Sequence, residues 1–259
     1  MPESTAHDAA VLQIYLLLAE WAAQQPGQVR IARNLAVRWL ETHPSSGIDP
    51  DVCVMDPPPP GSERDLSSLC LWKPGHVVPR FCVEVVSANH PYKDYVEIVE
   101  RYASLGAPEL LVFDPLLQGP RSLGGPVPLQ LWRRDATGTF ERVHFGDQPV
   151  HSNALDAWLI ADPPRLIIAH DRAGTRPWLT EAERERAEKG RERAEKERAI
   201  VEGERERAEK ERERAEKERE QAARIELERR VSELEAKLQS SREGQPWMPG
   251  KIWPIVDRS

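Results

Sequence analysis

The sequence predicts an α/β domain over residues 1–180, followed by a long, highly charged helix over residues 181–239. Two apolar runs, 81–86 and 110–113, have the character of central strands buried on both faces, and a stretch with helical periodicity joins them. The heptad ERERAEK recurs along the second segment and predicts the charged helix. We expect the remaining residues, 240–259, to be disordered.

The first predicted elements are one helix and three short strands. Apolar residues at helical spacing predict a helix over residues 7–24, which ends near a Pro-Gly pair. Alternating apolar residues predict strands at 29–31, 35–39 and 51–55. The Pro/Ser-rich stretch 57–79 is long for a compact domain, so we interpret it as a mobile lid or a decoration of the domain.

A helix is predicted to connect the two central strands. Asp94 is a good N-cap residue, Glu97 completes a capping box with it, and Gly106 ends the helix. Two apolar strands joined by such a helix form a right-handed parallel crossover. The predicted domain then closes with an antiparallel pair at the sheet edge and a strand-and-turn segment, at 127–133, 140–145 and 166–180.

The charge balance limits the partners of the chain. Of its 259 residues, 43 are acidic and 36 are basic, which gives a formal net charge of −7. Most of the acidic excess lies in the first domain, because acids and bases nearly balance in the charged helix. A net acidic domain binds polyanions poorly without a specific site, so we expect contact with nucleic acid to be local and strengthened by a bound metal.

The cysteines and the terminal sequence predict a reducing, cytoplasmic setting. Cys53, Cys70 and Cys82 are odd in number and lack the paired spacing of a zinc site. Cys53 and Cys82 lie in apolar runs, where we expect them to be small buried hydrophobes. No signal segment and no apolar stretch of membrane-spanning length is visible, so we expect no membrane partner.

Glu84 is the residue that most needs an explanation. A carboxylate inside an apolar central strand is costly to desolvate unless it is paired or binds a cation. Asp51 heads the preceding strand, and two carboxylates at one edge of a sheet form an oxygen site suited to Mg²⁺. In the alternative, structural interpretation, Glu84 pairs with Arg80 or Arg101 while Asp51 caps a turn. The residues alone leave both interpretations open.

Five short motifs between residues 48 and 115 have a specific mutual spacing. They are Asp51-Val52, Val83-Glu84-Val85-Val86-Ser87, Asp94 with Tyr102, Gly106-Ala107-Pro108-Glu109 and Val112-Phe113-Asp114-Pro115. Together they resemble the Uma2 family of restriction endonucleases in the PD-(D/E)XK nuclease superfamily, over about residues 7–180. The resemblance implies a restriction-endonuclease-like mixed sheet flanked by helices. It also implies Asp51 and Glu84 as Mg²⁺ ligands and phosphodiester hydrolysis in DNA as the reaction.

The chain departs from that family at the catalytic lysine. In the superfamily a lysine two residues after the Glu polarises the attacking water, and Val86 occupies that place. In the Uma2 family the lysine lies on the next helix, at the position of Ile98. Lys93, just before the predicted helix, is the candidate substitute. Arg101 is a weaker candidate, because an exposed arginine on a helix commonly pairs with a nearby acid.

Two functions of different classes are compatible with these motifs. The first is a Mg²⁺-dependent DNA endonuclease in which Asp51 and Glu84 hold the metal and Lys93 assists. The second is a catalytically inactive nuclease-fold protein that acts as a binding or scaffold module through its C-terminal helix, and Ile98 favours it. Serine hydrolases, zinc enzymes and phosphate-loop proteins are disfavoured, since the corresponding serine, histidine and glycine motifs do not occur.

The charged helix predicts self-association only near its C-terminal end. Upstream heptads offer one alanine where a coiled coil requires two large apolar residues, and their Glu–Arg and Glu–Lys pairs can support a lone helix. A true heptad seam follows at 4-3-4 spacing: Leu227, Val231, Leu234 and Leu238. We therefore expect a short coiled coil and a homo-oligomer through residues 225–238.

Overall fold

The computed structural model describes residues 5–61, 66–87, 89 and 91–243. The chain divides into two compact units, Met1–Ala187 and Glu188–Ser259. The helices are α1 (Thr5–Ala23), α2 (Ile98–Leu105) and α3 (Glu181–Glu243). The strands are β1 (Arg30–Arg33), β2 (Ala36–Arg38), β3 (Gly47–Ile48), β4 (Val52–Met55), β5 (Ser68–Cys70), β6 (Phe81–Val85), β7 (Glu109–Phe113), β8 (Leu129–Arg134), β9 (Phe140–Gly146), β10 (Val150–Ser152), β11 (Ala157–Asp162) and β12 (Arg165–Ala169).

A six-stranded mixed sheet lies at the centre of the first unit, in the order β1-β4-β6-β7-β8-β9. β6 and β7 are parallel, and the other neighbouring pairs are antiparallel. This confirms the two predicted central strands, because β6 and β7 are buried along their whole length and α2 lies between them in sequence. The predicted antiparallel pair at the sheet edge is also confirmed, since β8 and β9 end the strand order.

Successive residues of the central strands alternate between two cores. Ile14 of α1 packs in the same core as Val83 of β6. Tyr102 of α2 packs in the other core, with Cys53 of β4 and Cys82 of β6. Both cysteines are fully buried, as predicted. Because alternate residues of a strand face opposite sides of the sheet, α1 and α2 cover its two opposite faces.

Two three-stranded sheets accompany the central one, in the orders β3-β2-β5 and β10-β11-β12. The strands predicted at 29–31 and 35–39 therefore belong to different sheets, because β1 pairs with β4 while β2 pairs with β3 and β5. β5 lies in the Pro/Ser-rich stretch and pairs in parallel with β2, so the described part of that stretch decorates the domain. The sequence pattern does not predict β10, which has only three residues, or β11, whose apolar residues do not alternate with polar ones.

The helical segment between β6 and β7 begins earlier than predicted. A π-helical turn, Lys93–Glu97, precedes α2, and its N-cap is Tyr92, without a side-chain cap hydrogen bond. Asp94 therefore lies inside the helical segment, so the predicted capping box of Asp94 with Glu97 is wrong. The predicted end of the helix is confirmed, since Gly106 adopts the left-handed conformation with a φ of 84°.

Two buried carboxylates organise the loops at either end of β7. Glu109 accepts hydrogen bonds from the guanidinium of Arg133 at 2.7 Å and from the hydroxyl of Ser152. Asp114 accepts one from the Gly119 amide at 2.7 Å, and so organises the turn after its strand, as its position before Pro115 predicts. Both acids are satisfied by the protein itself, which is the usual state of a structural buried carboxylate.

The charged helix begins at a capping box. The Glu183 amide donates to the Thr180 hydroxyl at 3.3 Å, and the Thr180 amide donates to the Glu183 carboxylate at 3.0 Å. α3 continues past residue 239 to Glu243, so the first four residues of the predicted disordered tail are helical. The rest of that tail lies outside the described residues.

Within the second unit, the predicted seam of α3 is uncovered. Its four apolar side chains are 47–65% exposed: Leu227, Val231, Leu234 and Leu238. None of the helices in the described part of the chain has the length and apolar character needed to cross a membrane.

Candidate active site

A cleft of about 230 Å³ is lined by residues from β2, β3, β6, the π-helical turn and α2. The small sheet therefore supplies one part of its lining and the helical segment another, while β6 of the central sheet contributes an acid. The charged residues of this cleft are three cations and two carboxylates: Arg38, Lys93, Arg101, Asp49 and Glu84.

Asp51 and Glu84 occupy facing positions on neighbouring strands. β4 and β6 pair antiparallel with Val52 opposite Val83, so Asp51 and Glu84 are the next residues outward. Both are nearly buried, with exposures of 8% for Asp51 and 6% for Glu84. Glu84 lines the cleft and Asp51 does not, so their role as shared metal ligands stays a prediction.

Glu84 is held by a tyrosine of α2. The hydroxyl of Tyr102 donates a hydrogen bond to Oε1 of Glu84 at 2.5 Å. Burial first, and then the nearby Glu84 carboxylate, raise the pKa of Tyr102 well above its usual value. The hydroxyl therefore remains protonated and fixes one oxygen of the acid. The sequence motifs include Tyr102 but do not pair it with Glu84, so this contact was missed.

Asp51 is held by the backbone of β6 and by a histidine of α1. Its Oδ2 accepts a hydrogen bond from the Val85 amide at 2.7 Å, and Nε2 of His7 lies 3.4 Å from the same oxygen. His7 belongs to α1 and is 3% exposed, a burial that helical periodicity does not reveal. The structure thus brings the side chain of Asp51 next to the backbone of β6, whereas the structural interpretation places it as the cap of a turn.

The π-helical turn determines where Lys93 lies. The Ile98 amide donates to the carbonyl of Lys93, five residues back, and this wide turn leads into α2. Lys93 and Ile98 both line the cleft with Glu84, and Lys93 is exposed. Val86, by contrast, is 1% exposed and packs in the core beneath α2.

The possible structural partners of Glu84 have distinct positions. Arg80 pairs with Asp56 at 2.5 Å, and its guanidinium lies over the ring of Trp21. Arg101 lines the cleft together with Glu84. Arg38, which lines it as well, was not singled out from the sequence, where the only signal is its polar character between the apolar Val37 and Trp39 of an alternating strand.

The acids of this region suit a magnesium ion that keeps part of its water shell. Across the described residues, no group of three or more His, Cys, Asp or Glu side chains is arranged to hold a metal ion. Mg²⁺ usually binds through one or two carboxylates and retains several waters. Asp51 and Glu84, two oxygen donors at facing strand positions, fit that requirement.

A mixed α/β domain with two acids at neighbouring strand ends is the architecture that the sequence motifs imply. The family model Uma2, described as "Putative restriction endonuclease", matches residues 1–158. The chain belongs to the Uma2 family.

Comparison with solved structures finds a similar crystal structure, described as "a putative nuclease belonging to DUF820 from Anabaena variabilis". The two chains are 15% identical, with a TM-score of 0.42, and the match covers 60% of this chain and 75% of the other. Comparison with curated proteins gives no significant match.

Proposed function

We propose that this protein is a Mg²⁺-dependent DNA endonuclease that hydrolyses phosphodiester bonds in the cleft beside Glu84. The observation that carries the proposal is that Lys93 and Glu84 line the same cleft. A metal-binding carboxylate and a cation facing the phosphate are recurring components of phosphodiester hydrolysis. Membership of the Uma2 family supports the reaction class.

Each group has a separate task in this proposal. Asp51 and Glu84 hold Mg²⁺, which when bound activates water and stabilises negative charge on a phosphate. Tyr102 orients Glu84 through its hydroxyl, and His7 keeps Asp51 against β6. Lys93 faces the attacking water and the phosphate oxygens, where its charge stabilises the transition state.

Lys93 replaces the lysine that the Uma2 family carries at the position of Ile98. Both residues line the same cleft, so the cation has moved by little more than one helical turn in sequence. A lysine reaches this far because its four-carbon stem is long and its ammonium group seeks the polar end of the cleft.

A catalytically inactive binding or scaffold protein is the second candidate function. Its supporting observation is that Ile98 is apolar and 3% exposed at the family lysine position. In that case the cleft binds its ligand without cleaving it, and the chain acts as a binding or scaffold module through its charged helix.

The metal site is tested by titration with Mn²⁺ in a calorimeter. We expect the double variant Asp51→Asn/Glu84→Gln to lose at least about 100-fold in affinity, because both carboxylate ligands become neutral amides. The matched control is Glu97→Gln/Glu100→Gln, which removes two exposed acids outside the cleft lining and should bind like the wild type. Equal affinity in both double variants would contradict the site.

Tyr102→Phe tests the orientation of Glu84. Deleting the hydroxyl removes the 2.5 Å hydrogen bond and should weaken Mn²⁺ affinity by about 10–100-fold, the usual effect of losing a group that orients a ligand. Tyr95→Phe is the matched control, since its buried hydroxyl contacts Asp114 instead. An equal loss of affinity in both variants would assign the effect to the stability of the domain.

We further propose that two copies of the chain associate through the seam of residues 225–238. Val231 and Leu238 take one heptad position and Leu227 and Leu234 the other, a pattern that favours two strands. Upstream, the heptad position of Leu227 and Leu234 is occupied by Glu220 and Glu213. There the like charges of two copies would face each other, so the pairing ends before them.

The charges beside the seam favour a parallel pair. In a parallel arrangement Arg230 of each copy faces Glu235 of the other. In an antiparallel arrangement Arg230 faces Lys237 and Glu228 faces Glu235, so every flanking contact is repulsive. Opposite charges are therefore brought together only when the two helices run in the same direction.

Removing residues 225–259 should abolish the dimer in sedimentation experiments, while removing only 183–217 should leave it intact. Leu234→Cys should then form a disulfide between copies under oxidation, because identical positions face each other only in the parallel arrangement. The native cysteines are all buried and do not compete. A dimer that survives the first truncation would contradict the seam.

A further inference from the structure

We propose that Arg38 is a phosphate-binding residue that anchors the DNA backbone in the cleft, from the strand side, while Lys93 and Arg101 contact it from the helical side. The inference deepens the proposed function, since it names the group that recognises the substrate. No sequence motif and no family match assigns a role to Arg38.

The guanidinium of Arg38 is fixed by one of its nitrogens. Nη1 donates to the carbonyls of Val37 and Ile48 at 3.1 and 3.2 Å and to Oδ1 of Asp49 at 2.7 Å. The side chain is 21% exposed, so it does not sample solvent freely. In the described parts of the chain, Nε and Nη2 have no hydrogen-bond partner. That leaves the pair of parallel donors with which arginine grips phosphate oxygens.

Gly47 makes room for this guanidinium. A Cβ at position 47 would lie 2.4 Å from Nη1 of Arg38 and 2.4 Å from the carbonyl of Val37. Position 47 of β3 therefore has to be a glycine, because any side chain there would collide with the arginine that lies across the strand. Because Gly47 also lines the cleft, the same glycine opens the cleft and positions the cation.

The charges of the cleft favour an anion. Asp49 is paired with Arg38 at 2.7 Å, so its charge opposes a phosphate only weakly beside the free edge of the guanidinium. Lys93 and Arg101 add two exposed cations on the helical side. A volume of about 230 Å³ is below that of a typical drug-sized ligand site, and suits a backbone phosphate with its adjoining sugar atoms.

The competing explanation is that the Arg38–Asp49 pair only ties β2 to β3. The two explanations differ in their expectation for Asp49→Asn. If the pair is only structural, Arg38→Gln and Asp49→Asn act alike, because each breaks the same contact. If Arg38 binds phosphate, Asp49→Asn removes a negative charge from the cleft and tightens DNA binding, while Arg38→Gln weakens it.

The experiment measures binding of a short fluorescent DNA duplex by anisotropy, in EDTA and over a series of salt concentrations. Arg38→Gln should weaken binding by about tenfold and lower the slope of log K against log salt by about 0.9, the value for one lost phosphate contact. Gly47→Ala should reproduce the weakening although it keeps the charge. Arg176→Gln, which removes an arginine outside the cleft that is paired with Asp171 at 3.6 Å, should bind like the wild type.

A wild-type affinity and salt slope in Arg38→Gln would overturn the proposal. Equal weakening in Arg38→Gln and Asp49→Asn, or no binding by the wild type at low salt, would overturn it as well. Because turnover is not needed in EDTA, the result is separate from the nuclease proposal. DNA binding that depends on Arg38 without any cleavage in Mg²⁺ would support this inference and contradict the endonuclease.

Discussion

Replacing Glu84 by glutamine is expected to lower the rate of Mg²⁺-dependent DNA cleavage by about 100–1000-fold or more. The amide keeps the shape of the side chain and can still accept the hydrogen bond from Tyr102, so the fold should be retained. It removes the negative charge that is proposed to hold the ion. We expect the loss to appear in the cleavage rate, because a bound metal would stabilise negative charge that develops only in the transition state.

The control for this variant is Glu100→Gln. Glu100 is an exposed acid in α2, outside the cleft lining, so its loss changes the net charge equally. We expect its cleavage rate to match that of the wild type. Thermal melting of both variants checks that the domain remains folded. A Glu84→Gln variant that cuts at the wild-type rate would show that this acid is not part of the active site.

Replacing Lys93 by methionine should lower cleavage by about 100–1000-fold, the usual effect of removing a group that stabilises transition-state charge. Lys93 is exposed at the cleft, so the change should not disturb the core. Metal affinity should stay near that of the wild type. This separates the role of Lys93 from that of the two acids.

Ile98→Lys is the complementary test, because it restores the lysine at the family position. Introduced into the Lys93→Met variant, it should recover at least about tenfold in rate. Ile98 is 3% exposed but lines the cleft, so the new side chain can bury its stem and direct its ammonium group toward Glu84. Robust cutting that survives Lys93→Met but not Glu84→Gln would show that neither lysine is needed.

The central part of the fold could be predicted because its pattern is local. The apolar runs of β6 and β7, with a helix between them, define a parallel crossover whatever the rest of the chain does. Glu84 stands out for the same reason, as a single carboxylate in such a run. The position of Asp51 beside it can be predicted once β4 and β6 pair, because Val52 opposite Val83 fixes the register of the two strands.

The rest of the cleft depends on contacts that no local pattern encodes. Arg38 enters it because β2 pairs with β5, a strand thirty residues downstream inside a stretch that resembles a loop. Lys93 lies there because a π-helical turn replaces the regular start of a helix. Tyr102 and His7 occupy apolar helix faces, and only the packing of each helix on the sheet shows which acid it meets.

The most direct test of this account is a nicking time course on supercoiled plasmid with the wild-type chain, in Mg²⁺ and in EDTA. The proposed endonuclease converts plasmid to nicked and linear forms in Mg²⁺ and leaves it intact in EDTA. Nicking that is equally fast in EDTA would contradict the metal site. No nicking in Mg²⁺ by a folded chain that binds Mn²⁺ would contradict the enzyme and leave the catalytically inactive binding or scaffold module as its function.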